Sequence, residues 1–286
     1  MPIDPTKAIG ADLGTVTFAW TSTDVLLYHL GVGAGEHPTE DRELRYVLED
    51  RLQVLPTFGV VAPNFRMFEP PALTFPGIAV DLAKVLHGTQ SITLHEPLPP
   101  KGRATATSRI TNVWDKGTAA VITHESTVTD TAGTPLWTTT SDIFARGEGG
   151  FGGDRGPSTR QAPPPGAPDL VLEVTTLPQQ ALLYRLCGDR NPLHSDPAFA
   201  ALAGYDRPIL HGLCTYGIVC KAIVDELLAG DVTQVATFTS RFAGVLHPGE
   251  TLRIRVWRTE IGYRSTTTSA TRDDAPVLDE TTLTVR

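Results

Sequence analysis

The sequence predicts an α+β fold in two halves, each an antiparallel sheet wrapped around an apolar helix. Three observations carry this expectation. Each half contains a run of segments that alternate apolar and polar residues and are rich in Thr, Val and Ile, the period-2 pattern of half-buried strands. The stretch from Gly212 carries Leu213, Tyr216, Val219, Ile223 and Leu227 at helical spacing, with Ile218, Val224 and Leu228 widening the stripe, so this helix should be buried. Between the halves, Gly147 to Pro168 is rich in Gly and Pro and reads as a linker. The domains expected are therefore residues 1–146, a linker at 147–168, and residues 169–286.

The elements follow in order. Val16 to Trp20 alternates as a strand. Ser22 or Thr23 should cap a helix through Val25, Leu26, Tyr28 and Leu30, with Gly31 stopping it. Leu55 to Phe65 is apolar enough for a buried helix, which Pro63 should end or kink. Strands are expected at Ser91–Leu94, Ala104–Val113, Ala119–Val128 and Leu136–Phe144, separated by Pro99-Pro100-Lys101-Gly102, Asp115-Lys116-Gly117 and Asp130-Thr131-Ala132-Gly133 turns. In the linker, Phe151 within a Gly-rich run could drape over the fold or belong to a disordered tether. The second half repeats the order. Leu170–Val174 is a strand, a helix leads to Cys187, a short helix starts at Pro197, and the apolar helix follows. Four strands then lie near Ala236–Ala243, Thr251–Arg258, Arg264–Ala270 and Val277–Val285. Two such halves side by side would make one continuous sheet.

Composition narrows the function. The chain has 286 residues, 41% of them hydrophobic, and a net charge of −8, which argues against nucleic acid and anionic membrane surfaces as partners. No apolar run approaches the ~20 residues of a membrane span. The N-terminus lacks the basic and apolar regions of a signal peptide, and the expectation is a cytoplasmic protein. Three cysteines, Cys187, Cys214 and Cys220, with no CxxC pair, argue against a disulfide scaffold or structural zinc.

The chemistry concentrates in Tyr184–Pro197, where Asp189, Asn191 and His194 lie in six residues beside Gly188 and Pro192. A carboxylate, an amide and an imidazole on one bent loop can move protons and hold a water. The same residue types also form ordinary turns. Beyond them, His211-Gly212 opens the apolar helix. The first N–H groups of a helix have no internal partner, and Gly212 leaves that end open to a carbonyl oxygen gaining charge. His211 is expected to position the loop; His29, His37, His95 and His124 read as surface or turn residues. Asp189, His194 and His211 include metal-ligand types, but no paired Cys or HxxxH spacing supports a metal, and no metal or other cofactor is expected.

GDRNPLH followed by HG resembles the (R)-specific enoyl-CoA hydratases, the hydratase 2 or MaoC-like group of the hot-dog fold. TSTDVLLYHLGVGAG, LPTFGV, LHGTQ, WDKG and GEGGFGG extend the likeness over nearly the whole chain, and it is similar above all to the actinobacterial (3R)-hydroxyacyl-thioester dehydratases. The resemblance implies a double hot-dog fold and a hydro-lyase that adds water reversibly, in syn fashion, to trans-2-enoyl thioesters. It implies that Asp189 and His194 are the catalytic dyad, with Asn191 orienting water or the carboxylate and Gly212 N–H holding the thioester carbonyl. His87, Gly88, Lys116, Arg190, Pro192, Leu193 and Phe242 are carried over as substrate-binding positions, Lys116 being suited to a phosphate. The partners implied are acyl-CoA or acyl carrier protein thioesters and, as an assembly, a homodimer. A hot-dog thioesterase or a non-catalytic acyl-CoA binding module would use the same fold. The first half has GVGAGEHPTED in place of an Asn-Pro-x-His loop, so one active site per chain is expected, with an acyl tail directed toward Leu27, Leu55 and Phe58.

Overall fold

The computed structural model describes residues 3–68, 75–80, 85–157 and 160–286. The first half opens with a short helix α1 (Pro5–Ala8) and strand β1 (Asp12–Trp20), then α2 (Ser22–Gly31), α3 (Asp41–Val47) and α4 (Phe58–Val61). Strands β2 (Val85–Leu94), β3 (Gly102–Asp115), β4 (Ala119–Thr129) and β5 (Pro135–Arg146) complete it. The second half repeats this plan with β6 (Leu170–Thr175), α5 (Gln180–Tyr184), α6 (Pro197–Leu202) and α7 (Gly212–Leu227), followed by β7 (Val235–Phe242), β8 (Thr251–Thr259), β9 (Gly262–Ser269) and β10 (Ala275–Val285). Among the described residues the strands form one ten-stranded sheet in the order β1-β3-β4-β5-β2-β7-β10-β9-β8-β6, every neighbour antiparallel. The continuous sheet expected from sequence is present, and the two halves use the same internal order.

The seam is β2 against β7, in register at Thr89–Arg241, Ser91–Thr239 and Thr93–Thr237. Ser91 and Thr239 share a hydroxyl hydrogen bond of 2.8 Å across it. Below the seam lies one hydrophobic core, with Tyr28, Phe58 and Trp137 of the first half joined to Tyr184, Tyr216 and Phe238 of the second. Each of these side chains is at most 1% exposed, which contributes roughly 2–3 kcal/mol apiece on area grounds. Helix α7 is buried nearly all round. The α2 helix packs against it so closely at Gly217 that a Cβ there would lie 2.6 Å from the Tyr28 hydroxyl and 2.7 Å from Val32.

Three local expectations change, and one open alternative closes. The α2 cap is Thr21, not Ser22 or Thr23: Asp24 N–H donates to the Thr21 hydroxyl and Thr21 N–H donates back to the Asp24 carboxylate. The Leu55–Phe65 helix is only α4 plus a 3-10 turn at Ala62–Asn64. Pro63 has no N–H to give the Gly59 carbonyl four residues earlier, and Trp137 Nε1 donates to that carbonyl instead at 3.0 Å. His29 is fully buried, with Nδ1 donating to Tyr46 O at 2.7 Å and Nε2 accepting from Leu55 N at 3.1 Å. His124 lies partly buried on β4, while His37 and His95 are exposed as expected. The linker drapes rather than floats: Gly150 and Gly152 N–H donate to the Asp115 carboxylate and Phe151 packs on Ile110 and its neighbours. Residues 158 and 159 of the linker lie outside the described residues.

Candidate active site

The motif loop leaves α5 through a 3-10 turn at Arg185–Cys187 and bends at Gly188, whose φ is +112°. Only glycine serves here, because that φ is hostile to a side chain and the Asn64 carbonyl fills the place of a Cβ. Two local hydrogen bonds then set the loop. Asp189 Oδ1 accepts from Asn191 N–H at 3.1 Å, and Asn191 Oδ1 accepts from Leu193 N–H at 3.0 Å. The Asn191 amide oxygen therefore caps the turn Pro192–His194.

The loop delivers His194 into the protein, 9% exposed, with Nδ1 at 2.9 Å from Ile209 O. A carbonyl can only accept, so Nδ1 carries the hydrogen and Nε2 of the neutral ring presents a lone pair. His211 stacks on His194 with centroids 3.8 Å apart and planes 28° from parallel. Its Nε2 donates to Asp189 O at 3.3 Å, which ties the helix start to the motif loop as expected of this residue. One donor atom from each of Asp189, His194 and His211 lies within 4.8 Å of the other two. Near-parallel stacked rings do not aim their in-plane lone pairs at one point, and one nitrogen of each ring is already bonded to a carbonyl. The cluster suits proton transfer better than ligation of an ion.

Burial governs the electrostatics. It pushes the His194 pKa below its ordinary value, against the opposing pull of the Asp189 charge and the Ile209 carbonyl. His211 is driven to about 2, first by burial and then by His194, so it stays neutral beside the dyad. Asp189 itself is exposed.

Helix α7 begins one residue later. Its N-cap, His211, supplies no side-chain cap, so the N–H of Gly212 heads an open helix end. A Cβ on Gly212 would lie 3.0 Å from Phe242 Cδ1 and Cε1, so the glycine leaves room for that ring. Phe242 in turn meets His87 of β2, ring centroids 4.6 Å apart. At Gly88 beside it a Cβ would lie 3.1 Å from Asp142 O, a tight fit that a small shift of that strand would have to relieve. Residues named from both halves thus converge: Asp189, Asn191, His194 and Gly212 with Phe242 and His87. Arg190, Pro192 and Leu193 are half-buried on the same loop. Lys116 stands apart, on the β3–β4 turn, where its ammonium donates to Arg155 O at 2.5 Å and Pro157 O at 2.8 Å and so ties down the linker. Leu55 and Phe58, named for an acyl tail, are ordinary core at 0% and 1% exposure. Elsewhere, a cavity of about 540 Å³ lies between the loop at 32–37 and α7, lined by Leu172, Val174, Ile218 and Lys221, and none of the site residues lines it.

Two site features escaped sequence reasoning. Ile209 acts through its carbonyl, and a backbone atom leaves no trace in residue type. Tyr184, its ring 5.0 Å from His211 and its hydroxyl buried without a partner, opens the stretch singled out in the sequence but was given no role there.

With this geometry in hand, comparison with known proteins is specific. Residues 18–147 match the MFE-2 hydratase 2 N-terminal domain, and residues 160–277 match the MaoC like domain. The chain is 58% identical over 278 residues to the enoyl-CoA hydratase ChsH3 of Mycobacterium tuberculosis, covering 97% of each. It is 40% identical to the 3-hydroxyacyl-thioester dehydratase Y of the same organism, covering 92% of this chain and 90% of that one. A crystal structure of a MaoC-like dehydratase from Phytophthora capsici superposes with a TM-score of 0.88 at 29% identity, covering 98% of both chains. At the level of fold alone, a Mycobacterium tuberculosis protein described as a double hotdog matches at a TM-score of 0.58.

Proposed function

We propose a reaction from one premise: this chain belongs to the two-domain hydratase 2 branch of the MaoC-like family. It is a hydro-lyase, an (R)-specific enoyl-CoA hydratase or (3R)-hydroxyacyl-thioester dehydratase of fatty-acid metabolism, acting on acyl-CoA thioesters. The observation that supports this reading best is the packing of Asp189 and His194 in one cluster next to the uncapped start of α7.

In the hydration direction, His194 Nε2 accepts a proton from a water shared with Asp189 as the water oxygen adds to C3. Electron density moves to the thioester oxygen, which Gly212 N–H stabilises with the positive end of α7. The Asp189–His194 pair then returns one proton to C2. The enzyme ends as it began, and both additions come from one face, hence syn. His211 stays neutral and holds the loop, so its charge never competes for the water. Asn191 fixes the Asp189–His194 spacing through its cap, and its NH2 group can orient the water. His87, Gly88 and Phe242 form the wall along which the thioester arm passes, with Arg190, Pro192 and Leu193 opposite. Lys116 is roughly 10 Å from β2, two strands over, and meets the far end of the arm if the linker carbonyls release it.

We assign catalysis to residues 169–286, substrate accommodation to residues 1–146 and the connection to residues 147–168, with one active site per chain. No described helix is long and apolar enough to cross a membrane; a cytoplasmic setting, use of acyl carrier protein thioesters and a homodimer complete the proposal. The test follows loss of the enoyl chromophore and release of free thiol on the same crotonyl thioester. Chromophore loss without thiol, giving the (3R)-alcohol, supports a hydratase. Hydrolysis destroys the same conjugated thioester, so chromophore loss matched by thiol release would mean a thioesterase, and neither would mean a binding module.

A further inference from the structure

The carbonyl that orients His194 is itself held in place. Ile209 O, which accepts from His194 Nδ1 at 2.9 Å, lies in Pro208–Leu210, a stretch outside every helix and strand. That stretch rests on the residues leading into β8. Leu210 N–H donates to Leu246 O at 2.7 Å, and His247 Nδ1 donates to Pro208 O at 3.4 Å, one bond on each side of Ile209. Both segments then converge on one buried carboxylate. Glu250 is 2% exposed and accepts from Arg272 Nε at 2.7 and 2.9 Å, from the Ser269 hydroxyl at 2.9 Å and from Arg207 at 3.4 Å. Arg272 also donates from a terminal nitrogen to Val245 O, next to Leu246, and Arg207 stands next to Pro208.

Stability alone explains this arrangement poorly. The attraction within a buried ion pair is largely offset by the desolvation of its two charges, and apolar residues of like volume serve a core as well. The first half builds the corresponding strand without one. There β3 opens on Gly102 and an exposed Arg103 where the second half has Gly249 and Glu250, and that half has no Asn-Pro-x-His loop. The buried carboxylate thus accompanies the half that has an imidazole to orient. Given the role assigned to His194 above, we propose that Glu250 and Arg272 are positioning residues for His194, fixing through Val245 and Leu246 the direction of the Ile209 carbonyl. Neither belongs to the dyad or its loop. The carbonyl keeps the hydrogen on Nδ1 and the lone pair on Nε2. Burial lowers the His194 pKa, and this carbonyl opposes the shift by favouring the protonated ring.

The test uses the full-length protein, wild type against Glu250→Gln, Glu250→Asp and Arg272→Lys. Glu250→Gln removes the charge that aims Arg272. Arg272→Lys keeps the ion pair, but one ammonium cannot also fork to Val245 O. Each of these two should lower kcat for crotonyl-CoA roughly tenfold or more, the scale of a slightly misplaced catalytic group, with KM within about twofold. Glu250→Asp should recover part of the loss. The acid limb of the kcat/KM profile should move to lower pH, because the ring loses a partner that favours its charged form. The groups facing His194 are Asp189 on its own loop and His211 at the start of α7, with Arg185 and Tyr184 beside His211, and none is altered in these variants. Nitrogen NMR of isotope-labelled histidine needs no turnover. It should find the neutral His194 ring protonated on Nδ1 in the wild type and on either nitrogen in Glu250→Gln and Arg272→Lys. An error in the assigned reaction shows in the wild-type assay and leaves this tautomer shift intact, so the two read out separately. If Glu250→Gln does not fold, Arg272→Lys decides alone. Variants that unfold earlier yet keep the wild-type kcat, acid limb and His194 tautomer would overturn the positioning role.

Discussion

Acid should unfold this protein through its histidines, and His29 supplies the clean test. His29 is 0% exposed and His211 1% exposed, and burial is the first cause of both depressed pKa values, about 4 and about 2. A histidine kept neutral in the fold binds fewer protons than the same residue unfolded, where its pKa is about 6.5. The contribution of each is therefore complete above pH 6.5. It is lost as pH falls, down to about pH 4 for His29 and further for His211. These two groups alone give a slope of about 2.7 kcal/mol per pH unit, or about 7 kcal/mol between pH 6.5 and 4, against total stabilities of 5–15 kcal/mol, and His87, which burial also lowers to about 4, adds to it. Carboxylates held low, such as Glu250 and Asp24, weaken the fold only below their unfolded values of 4.5 and 3.8, so the window from pH 5 to 6.5 isolates the histidines. Urea unfolding followed by Trp fluorescence across that window should give a slope of at least two protons. In His29→Gln, whose amide can both donate toward Tyr46 O and accept from Leu55 N, the slope should fall by one proton. An unchanged slope in the variant, or none in the wild type, would refute the assignment of His29 as a buried neutral group.

Three further outcomes follow from the site. Asp189→Asn and His194→Gln should each lower kcat by roughly 10²-fold or more while leaving the unfolding midpoint nearly in place, as steady-state rates and denaturation together will tell. Gly188→Ala meets both an adverse φ and the Asn64 carbonyl, so it should cost about 2–4 kcal/mol and most of the activity; a variant as stable and active as wild type would mean the loop is free to move. Residues 169–286 alone would bare the β7 edge and the α7 face that carries Gly217, so the fragment should aggregate or self-associate in size-exclusion chromatography; a well-folded active monomer would contradict the shared core.

The strands were legible because their alternation is set by one buried face, and each observed strand overlaps the segment read from sequence. The motif was legible because GDRNPLH followed by HG resembles a family pattern; by residue type alone the same set also forms ordinary turns. What sequence hid were contacts made by backbone atoms at long range. His29 looked like a surface residue because its partners, Tyr46 O and Leu55 N, lie 17 and 26 residues away and belong to no motif. His194 was legible as a base candidate, but its tautomer depends on a carbonyl 15 residues on. The cap of α2 was missed by one residue because three successive hydroxyl residues, Thr21, Ser22 and Thr23, all qualify, and only the reciprocal bond from Asp24 selects the first.

The unequal helices of the two halves fit the proposed assignment of the chemistry to the second half. Where the second half has sixteen residues of α7, the first has the four of α4 before Pro63 stops it. That stop turns the chain at Asn64, and the Asn64 carbonyl is what lies against Gly188 of the motif loop. A first-half helix as long as α7 would carry the chain past this point, leaving the loop without its shelf. The opposite contact behaves differently: Gly217, inside the uninterrupted α7, admits Tyr28 and Val32 directly, and the loop after α2 has no Asn-Pro-x-His to seat. Pro63 is therefore tied to the packing of the motif loop although it is remote from Gly188 in sequence. A continuous helix in the first half would cost the second half its bent loop before it cost the protein its fold.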